Sequence, residues 1–202
     1  MRQTPDLFNM RGKNALITGA GGLLGPKHAE ALIECGARVI LTDHHEDRAR
    51  EKSEMLNEKY GKNVTEWCYM DVTNKKWVED VFSRYDRIDV LVNNAAKDPK
   101  VKKDGGLKPD SRFETMSEEY WQEGINAAVN RTFICSQAAA NKMLDNQTGG
   151  VILNISSDLG VIAPDQRIYR KPGVDDSMQN VKPITYSAAK WAIVGMTKYL
   201  AV

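Results

Sequence analysis

The chain has few cysteines, almost no net charge and no long apolar run, and each shortage excludes a class of protein. Its 202 residues include 3 cysteines, with neither a C-x-x-C pair nor a disulfide framework, so we expect buried thiols in a reducing compartment. The 28 basic and 27 acidic residues leave a charge of +1, without the basic excess of proteins that bind nucleic acid or anionic membranes in general. The apolar stretches are far shorter than the about 20 residues that cross a bilayer, and residues 1–12 are unlike a signal peptide. We therefore expect a soluble, cytoplasmic protein.

Apolar runs rich in β-branched residues alternate with amphipathic segments of helical length. The predicted strands are residues 15–18, 39–42, 64–70, 90–92 and 151–155, and the predicted helices are residues 23–35, 46–60, 74–85 and 117–144. This order predicts an α/β fold, a doubly wound parallel sheet (Rossmann fold) with helices on both faces. No repeat or linker is visible, so we expect a single domain over residues 1–202. Two long loops, residues 97–115 and 160–183, interrupt the alternation of strands and helices, and we expect a binding role for the second loop.

A glycine-rich turn joins the first strand to the first helix and reads Thr-Gly-Ala-Gly-Gly-Leu-Leu-Gly over residues 18–25. Such glycines allow a tight turn, close approach of backbone amides to a pyrophosphate and close helix packing, and the helix N-terminus adds partial positive charge. The residues expected to bind a dinucleotide here are Gly19, Gly22, Leu24 and Gly25. No Gly-Lys-Ser/Thr ending follows, which disfavours a nucleoside triphosphatase.

Asp43 stands at the end of the second strand, 18 residues after Gly25. A carboxylate can accept both hydroxyls of the adenosine ribose but repels a 2′-phosphate, so this position favours NAD over NADP. Arg48 and Arg50 are expected further on, on the helix surface. The alternative for Asp43 is a helix-capping role, because Asp is also a favoured N-cap residue.

Four further motifs follow in order: Asp71-Val72, Asn93-Asn94-Ala95-Ala96, Asn154-Ile155-Ser156-Ser157 and Tyr186-x-x-x-Lys190. With the glycine turn, this set resembles the short-chain dehydrogenase/reductase family over essentially the whole chain. The resemblance implies that Asp71 and Val72 contact the adenine of the cofactor. It implies further cofactor contacts by Asn93, Ala95, Tyr186 and Lys190. It also implies that Ser157 donates a hydrogen bond to the reacting oxygen, whereas Ser156 is expected to be structural.

Tyr186 and Lys190 are four residues apart and therefore neighbours on one face of a helix. An ammonium about 4 Å from a phenolic oxygen contributes about 4 kcal/mol at an effective dielectric near 20. This favours the phenolate, as a general acid/base for a secondary alcohol or ketone requires. By resemblance, Lys190 also holds the nicotinamide ribose. No metal site is predicted.

Some features depart from the family's usual pattern. The glycine spacing is that of the extended members, which include nucleotide-sugar epimerases and dehydratases, and the 29-residue separation of Ser157 from Tyr186 is longer than in the compact members. The family's proton-relay asparagine falls at Ala128, and Asn126 and Asn130 lie about 200° away around a helix. Twelve residues follow Lys190, so we expect a chain truncated before the family's last strands, with a bare sheet edge.

These observations leave three hypotheses. The first is an NAD-dependent oxidoreductase that acts on a secondary alcohol or ketone. The second is a nucleotide-sugar epimerase or dehydratase with bound NAD, and the third is a non-catalytic dinucleotide-binding module. Residues 158–171 contain acids, one amide and Arg, which suits a sugar-like or phosphorylated substrate. They resemble the same segment of short-chain dehydrogenases of bacterial surface-sugar and flagellin-glycan biosynthesis, and the family resemblance implies a homo-oligomer formed through residues 117–144 and the helix near Tyr186.

Overall fold

The computed structural model describes residues 7–96, 111–147 and 149–202. The described residues fall into two compact units, the first within residues 1–95 and 132–155 and the second within residues 96–131 and 156–202. Most of the predicted loop at residues 97–115 lies outside the described residues. The expectation of a single domain stays a prediction.

The first unit contains a parallel sheet with the strand order β3-β2-β1-β4-β5. The strands are β1 (Asn14–Thr18), β2 (Arg38–Asp43), β3 (Thr65–Tyr69), β4 (Val90–Asn93) and β5 (Val151–Asn154). The helices of the described chain are α1 (Gly25–Glu34), α2 (Glu46–Tyr60), α3 (Lys75–Ser83), α4 (Glu118–Ile125), α5 (Arg131–Asp145) and α6 (Ile184–Leu200). Every predicted strand is present with its bounds within one residue, so the parallel α/β fold is confirmed.

The strands bury side chains on both faces of the sheet, because successive residues of a strand point to opposite faces. One face packs with α3 and α5, in a cluster that includes Leu16, Ile40, Leu91, Val78 and Ala139. The other face packs with α1 and α2, in a cluster that includes Ile17, Leu41, Val92, Ala29 and Leu56. Each of the large side chains contributes about 1.5–3 kcal/mol on burial. The doubly wound arrangement of helices on both faces is confirmed.

The direction of strand addition reverses between β1 and β4. The chain runs from β1 through β2 to β3 on one side and then adds β4 and β5 on the other. Ligands of open α/β sheets bind at such a reversal, beyond the carboxyl ends of the strands. The glycine turn follows β1 at this point, and Asn94 and Ala95 follow β4.

The second unit contains α4, α6 and several short helical turns. A π-helix, Asn126–Asn130, separates α4 from α5, so the single helix expected over residues 117–144 is wrong in its middle. A π-helix has more residues per turn than an α-helix, and the rotation of about 200° expected for Asn126 and Asn130 does not apply. The Asn130 Nδ2 donates to the Asn126 Oδ1 at 2.8 Å. None of the helices in the described part of the chain is long and apolar enough to cross a membrane.

The segment at residues 160–183 folds back on itself instead of forming a featureless loop. It contains the 3-10 turns Gln166–Tyr169 and Asp176–Met178. The Gln179 side chain, which is buried, accepts from the Lys171 N at 2.8 Å and donates to the Lys171 O at 3.0 Å and the Val174 O at 2.7 Å. The amide of one glutamine thus ties two stretches of this segment together.

Candidate active site

The glycine turn packs tightly against the chain that follows β4. Gly19 has φ +62°, and a Cβ at this residue would lie 2.7 Å from the Ala95 Cα, so glycine is required. The Asn94 Nδ2 fixes the approach by donating to the main-chain oxygens of Thr18 and Gly19, each at 3.0 Å. The structure therefore brings together two of the predicted cofactor residues, Gly19 and Ala95.

The N-terminus of α1 is suited to an anion. Leu24 is the N-cap residue, no side chain caps the helix, and its first turn has no acidic residue. The amides and partial positive charge of such a terminus attract phosphate. The Gly22 N donates to the Gly19 O at 3.2 Å and shapes the turn that leads to Gly25. These residues fit the pyrophosphate of a dinucleotide.

Asp43 is buried at the end of β2, where its carboxylate binds main-chain amides. The Gly21 N donates to Oδ2 at 3.0 Å, and the His45 N donates to Oδ1 at 2.9 Å. The alternative of a helix-capping Asp43 is wrong, because the N-cap residue of α2 is His45 and no side chain caps this helix. Because a carboxylate has about four acceptor sites, Asp43 can hold the glycine turn and still accept a ribose hydroxyl.

Arg48 lies nearer to this position than the sequence suggests. A Cβ on Gly21 would be 2.6 Å from the Arg48 Cβ and 3.2 Å from the Asp43 Oδ2. Arg48 is exposed on α2, as expected, and the first turn of this helix also lies directly beside the glycine turn. An arginine is the residue that accommodates a 2′-phosphate. The spacing of residues along the chain gave no signal for this contact.

The other predicted cofactor residues of the first unit are held by protein contacts. Asp71 Oδ1 accepts from the Thr73 N at 2.9 Å and the Thr73 Oγ1 at 2.7 Å, and Val72 is part of the core packed with α3. The buried Asn93 Nδ2 donates to the Ser136 Oγ at 3.0 Å and the Asn154 Oδ1 at 2.8 Å. The Asn93 side chain therefore ties β4 to α5 and β5.

Two serines of the second unit have different partners. The Ser156 Oγ donates to the Lys190 O at 3.0 Å, which agrees with the structural role expected for it. The Ser157 Oγ donates to the Asp158 Oδ1 at 2.8 Å and accepts from the Leu159 N at 3.2 Å. The hydrogen bond from Ser157, followed by that from Leu159, holds the pKa of Asp158 below its ordinary value. The Ser157 hydroxyl must turn away from Asp158 before it can donate to a substrate.

Tyr186 lies in the first turn of α6 with a lysine on either side of it in the sequence. The Lys190 Nζ is 5.8 Å from the centroid of the Tyr186 ring, and the Lys182 Nζ is 4.1 Å from it. Both lysines are buried. The predicted neighbours Tyr186 and Lys190 are thus brought together, whereas sequence analysis missed Lys182. Lys182 is four residues before Tyr186, but it precedes the helix, so helical spacing does not place it.

Comparisons with known proteins identify the family of the chain. The model of the short chain dehydrogenase family matches residues 13–169. A 3-oxoacyl-acyl-carrier-protein reductase of Aquifex aeolicus is 31% identical over 197 residues, which cover 96% of this chain and 68% of that protein. A 2-dehydro-3-deoxy-D-gluconate 5-dehydrogenase of Bacillus subtilis is 30% identical over 203 residues, which cover 97% of this chain and 66% of that protein.

A solved structure shows the same fold over nearly the whole chain. The crystal structure of a short-chain type dehydrogenase/reductase from Mycobacterium marinum has a TM-score of 0.81 and 29% identity, and the match covers 99% of this chain and 72% of that one. The chain spans about two thirds of the length of the curated relatives. It belongs to the short chain dehydrogenase family, whose members are oxidoreductases that act on CH–OH groups and bind a nicotinamide dinucleotide.

Proposed function

We propose that the protein transfers a hydride between NAD and a secondary alcohol or ketone, with Tyr186 as the general acid/base. The observation that carries the proposal is the pairing of Tyr186 with the buried Lys190, whose Nζ is 5.8 Å from the ring centroid. The lysine charge favours the phenolate. The Tyr186 oxygen then takes a proton from an alcohol or, as a phenol, gives one to a ketone. NAD, when bound, supplies the hydride acceptor.

The remaining roles are proposed as follows. Ser157 donates a hydrogen bond to the reacting oxygen once its hydroxyl leaves Asp158, which places positive hydrogen-bond character where negative charge develops. Lys190 also binds the ribose hydroxyls of the nicotinamide half, as the family resemblance implies. Gly19, Leu24 and Gly25 bind the pyrophosphate through main-chain amides, and Gly22, whose N donates to the Gly19 O, shapes the turn that presents these amides.

The cofactor proposal is NAD rather than NADP. It is supported by the buried Asp43 carboxylate, which repels a 2′-phosphate. Arg48 lies beside the same turn and is the group that could offset this repulsion. The balance between the two side chains decides the preference.

An assay of products distinguishes oxidoreduction from the two alternatives. An oxidoreductase forms NADH in proportion to the oxidised alcohol, whereas an epimerase or dehydratase forms product with no net NADH. A binding module binds NAD and forms neither. We expect stoichiometric NADH, and product without NADH would overturn the proposal.

We further propose a polar, sugar-like substrate, of the kind used in surface-sugar or flagellin-glycan biosynthesis. Residues 158–171 supply acids, one amide and guanidinium groups, and the Bacillus subtilis relative is named for a sugar-acid derivative. The Arg167 guanidinium binds Asp165 through Nε and Nη2, each at 2.8 Å, and the Arg170 Nη2 is 3.5 Å from an Asp176 oxygen. An anionic substrate would therefore have to compete with these carboxylates.

A substrate panel with matched arginine variants tests this proposal. Arg167→Ala and Arg170→Ala are expected to raise KM for nucleotide sugars and sugar phosphates by about 10-fold, since a charge-assisted hydrogen bond contributes about 1.5–3 kcal/mol. Arg38→Ala, at an exposed pair with Glu66, is the control. A preference of the parent protein for simple apolar alcohols or acyl thioesters would contradict the proposal of a sugar-like substrate.

The protein is also proposed to act as a cytoplasmic homo-oligomer. Phe133 on α5 is 51% exposed and Trp191 on α6 is 53% exposed, and aromatic residues are enriched at subunit interfaces. Light scattering at micromolar concentration is expected to show an oligomer that Trp191→Glu weakens. A parent protein that is only monomeric would contradict this.

A further inference from the structure

Lys182 lies closer to the Tyr186 ring than Lys190 does. Its Nζ is 4.1 Å from the ring centroid, against 5.8 Å for the Lys190 Nζ. Lys182 is 8% exposed, so most of its side chain is withdrawn from water. We propose that Lys182 is a positioning residue that, together with Lys190, stabilises the phenolate form of Tyr186. This inference rests on the proposed function, in which Tyr186 exchanges a proton with the substrate.

The main chain of Lys182 is held in place by a side chain from the other end of the folded segment. The Gln166 Oε1 accepts from the Lys182 N at 2.8 Å, and the Gln166 Nε2 donates to the Lys182 O at 3.1 Å. Pro183 follows directly and is the N-cap residue of α6, and its ring fixes φ. The main chain that carries the Lys182 ammonium is therefore fixed by these contacts, whereas the main chain of a lysine on a solvated loop is not.

The charged groups around Tyr186 include carboxylates as well as the two lysines. Within the described part of the chain, the elements that pack most closely against α6 are the 3-10 turn Asp158–Gly160, α4 and the π-helix, and the last has no ionisable residue. The carboxylates of the other two are Asp158, Glu118, Glu119 and Glu123, all of them exposed. Asp158 is bound by Ser157 and by the Leu159 N. Among the residues that the structure describes, the cations over the Tyr186 ring are the two buried lysines.

A cation over an aromatic face is attracted by the ring, and the attraction grows when the ring becomes an anion. The cation–π attraction already acts on the neutral ring, so the preference for the phenolate comes from the added Coulomb attraction of the ammonium for the phenolate charge, about one pH unit or more for a charge within 4–6 Å. Removing the Lys182 charge should therefore move deprotonation of Tyr186 to higher pH. A purely structural lysine would have no such effect, because it would alter folding without altering the titration.

The experiment measures the titration of Tyr186 directly in the cofactor-free chain. Tyrosine labelled with ¹³C at Cζ reports the phenolate by NMR, and Tyr186→Phe assigns the signal. We expect Lys182→Met to raise the titration midpoint by about one pH unit, Lys182→Arg to restore it and Lys198→Met, at an exposed residue of α6, to leave it unchanged. The rising limb of the pH profile of kcat/KM for alcohol oxidation should move in the same way.

An unchanged midpoint in a folded Lys182→Met protein overturns the proposal, and Lys182→Gln gives the same reading if the methionine variant fails to fold. Normal turnover with an unchanged titration refutes the role of Lys182 alone. A shifted titration in a protein that turns over none of the substrate classes refutes the proposed function alone.

Discussion

Single side chains in this protein combine structural and functional contacts. Asp43 holds the glycine turn through the Gly21 N and the start of α2 through the His45 N. A variant at this position therefore changes both the loop and the cofactor preference. The two effects separate only if the replacement keeps the hydrogen bonds to the main chain.

Asp43→Asn removes the negative charge and keeps an acceptor for one of the two amides, whereas its NH2 group faces the other amide and weakens that contact. We expect it to weaken NAD binding by about 10-fold, the loss of one charge-assisted hydrogen bond, and to strengthen NADP binding because Arg48 can then face the 2′-phosphate. Isothermal titration calorimetry with both cofactors measures this. Adding Arg48→Ala should cancel the gain for NADP, and equal affinity of the parent for the two cofactors would refute the role of Asp43.

The buried Asp89 is one of the carboxylates that link the stability of the fold to acid pH. Burial raises the pKa of Asp89, but hydrogen bonds from the Asn14 N, Arg87 and Lys13 outweigh it and bring the pKa below its ordinary value. The lowered pKa stabilises the fold above the ordinary value of about 4, and this contribution is lost as the pH falls through the lower folded value. Asp89→Asn is expected to cost about 1–3 kcal/mol at neutral pH.

Urea unfolding of the Asp89→Asn variant at neutral and acidic pH tests this account. The difference from the parent should shrink as the pH falls below about 4. Glu54→Gln, at an exposed residue of α2, is the matched control. A variant as stable as the parent at neutral pH would contradict the assigned role.

At the scale of elements, the contact between α4 and α6 sets the position of Tyr186. A Cβ on Gly124 would lie 2.6 Å from the Thr185 Cβ, and Thr185 is buried directly before Tyr186. The absence of a side chain at Gly124 therefore lets the two helices approach closely. The π-helix begins two residues later.

Gly124→Ala should push the first turn of α6 away and misplace Tyr186. We expect kcat to fall by about 100-fold, the effect of a displacement near 1 Å, with little change in NAD affinity. The control is Gly195→Ala in α6, where a Cβ would meet nothing within 4 Å, and this variant should keep full activity. Full activity of Gly124→Ala would show that the contact does not position the tyrosine.

Much of the element order could be predicted from the sequence, because buried parallel strands are short β-branched runs between helical segments. The site motifs were equally visible, since Gly19 and Lys190 belong to fixed local spacings. The contacts that escaped prediction join distant residues. Lys182 is placed by Gln166, and Arg48 meets the glycine turn only after α2 folds back. Helical periodicity also does not reveal the π-helix Asn126–Asn130, because a π-helix has more residues per turn than an α-helix.

At the scale of the whole molecule, the residues proposed for cofactor binding and those proposed for proton transfer are divided between the two units. The first unit contains the glycine turn and Asp43, and the second contains Ser157, Tyr186 and Lys190. Variants of the first group should change cofactor affinity, whereas variants of the second should change the rate. The net charge of +1 gives no general attraction for anions, so recognition of the dinucleotide depends on local amides and the helix terminus.

The most direct test of the central claim is the turnover of Tyr186→Phe, which deletes the transferable proton and leaves the ring in place. NADH formation and NAD affinity are measured for the parent and the variant with the substrate that the parent turns over fastest. We predict a loss of at least about 100-fold in kcat, the usual contribution of a general acid/base, with NAD affinity within about two-fold of the parent's, a free-energy change well under the 1.4 kcal/mol of a tenfold change. A variant that retains most of the parent's rate would show that Tyr186 is not the acid/base.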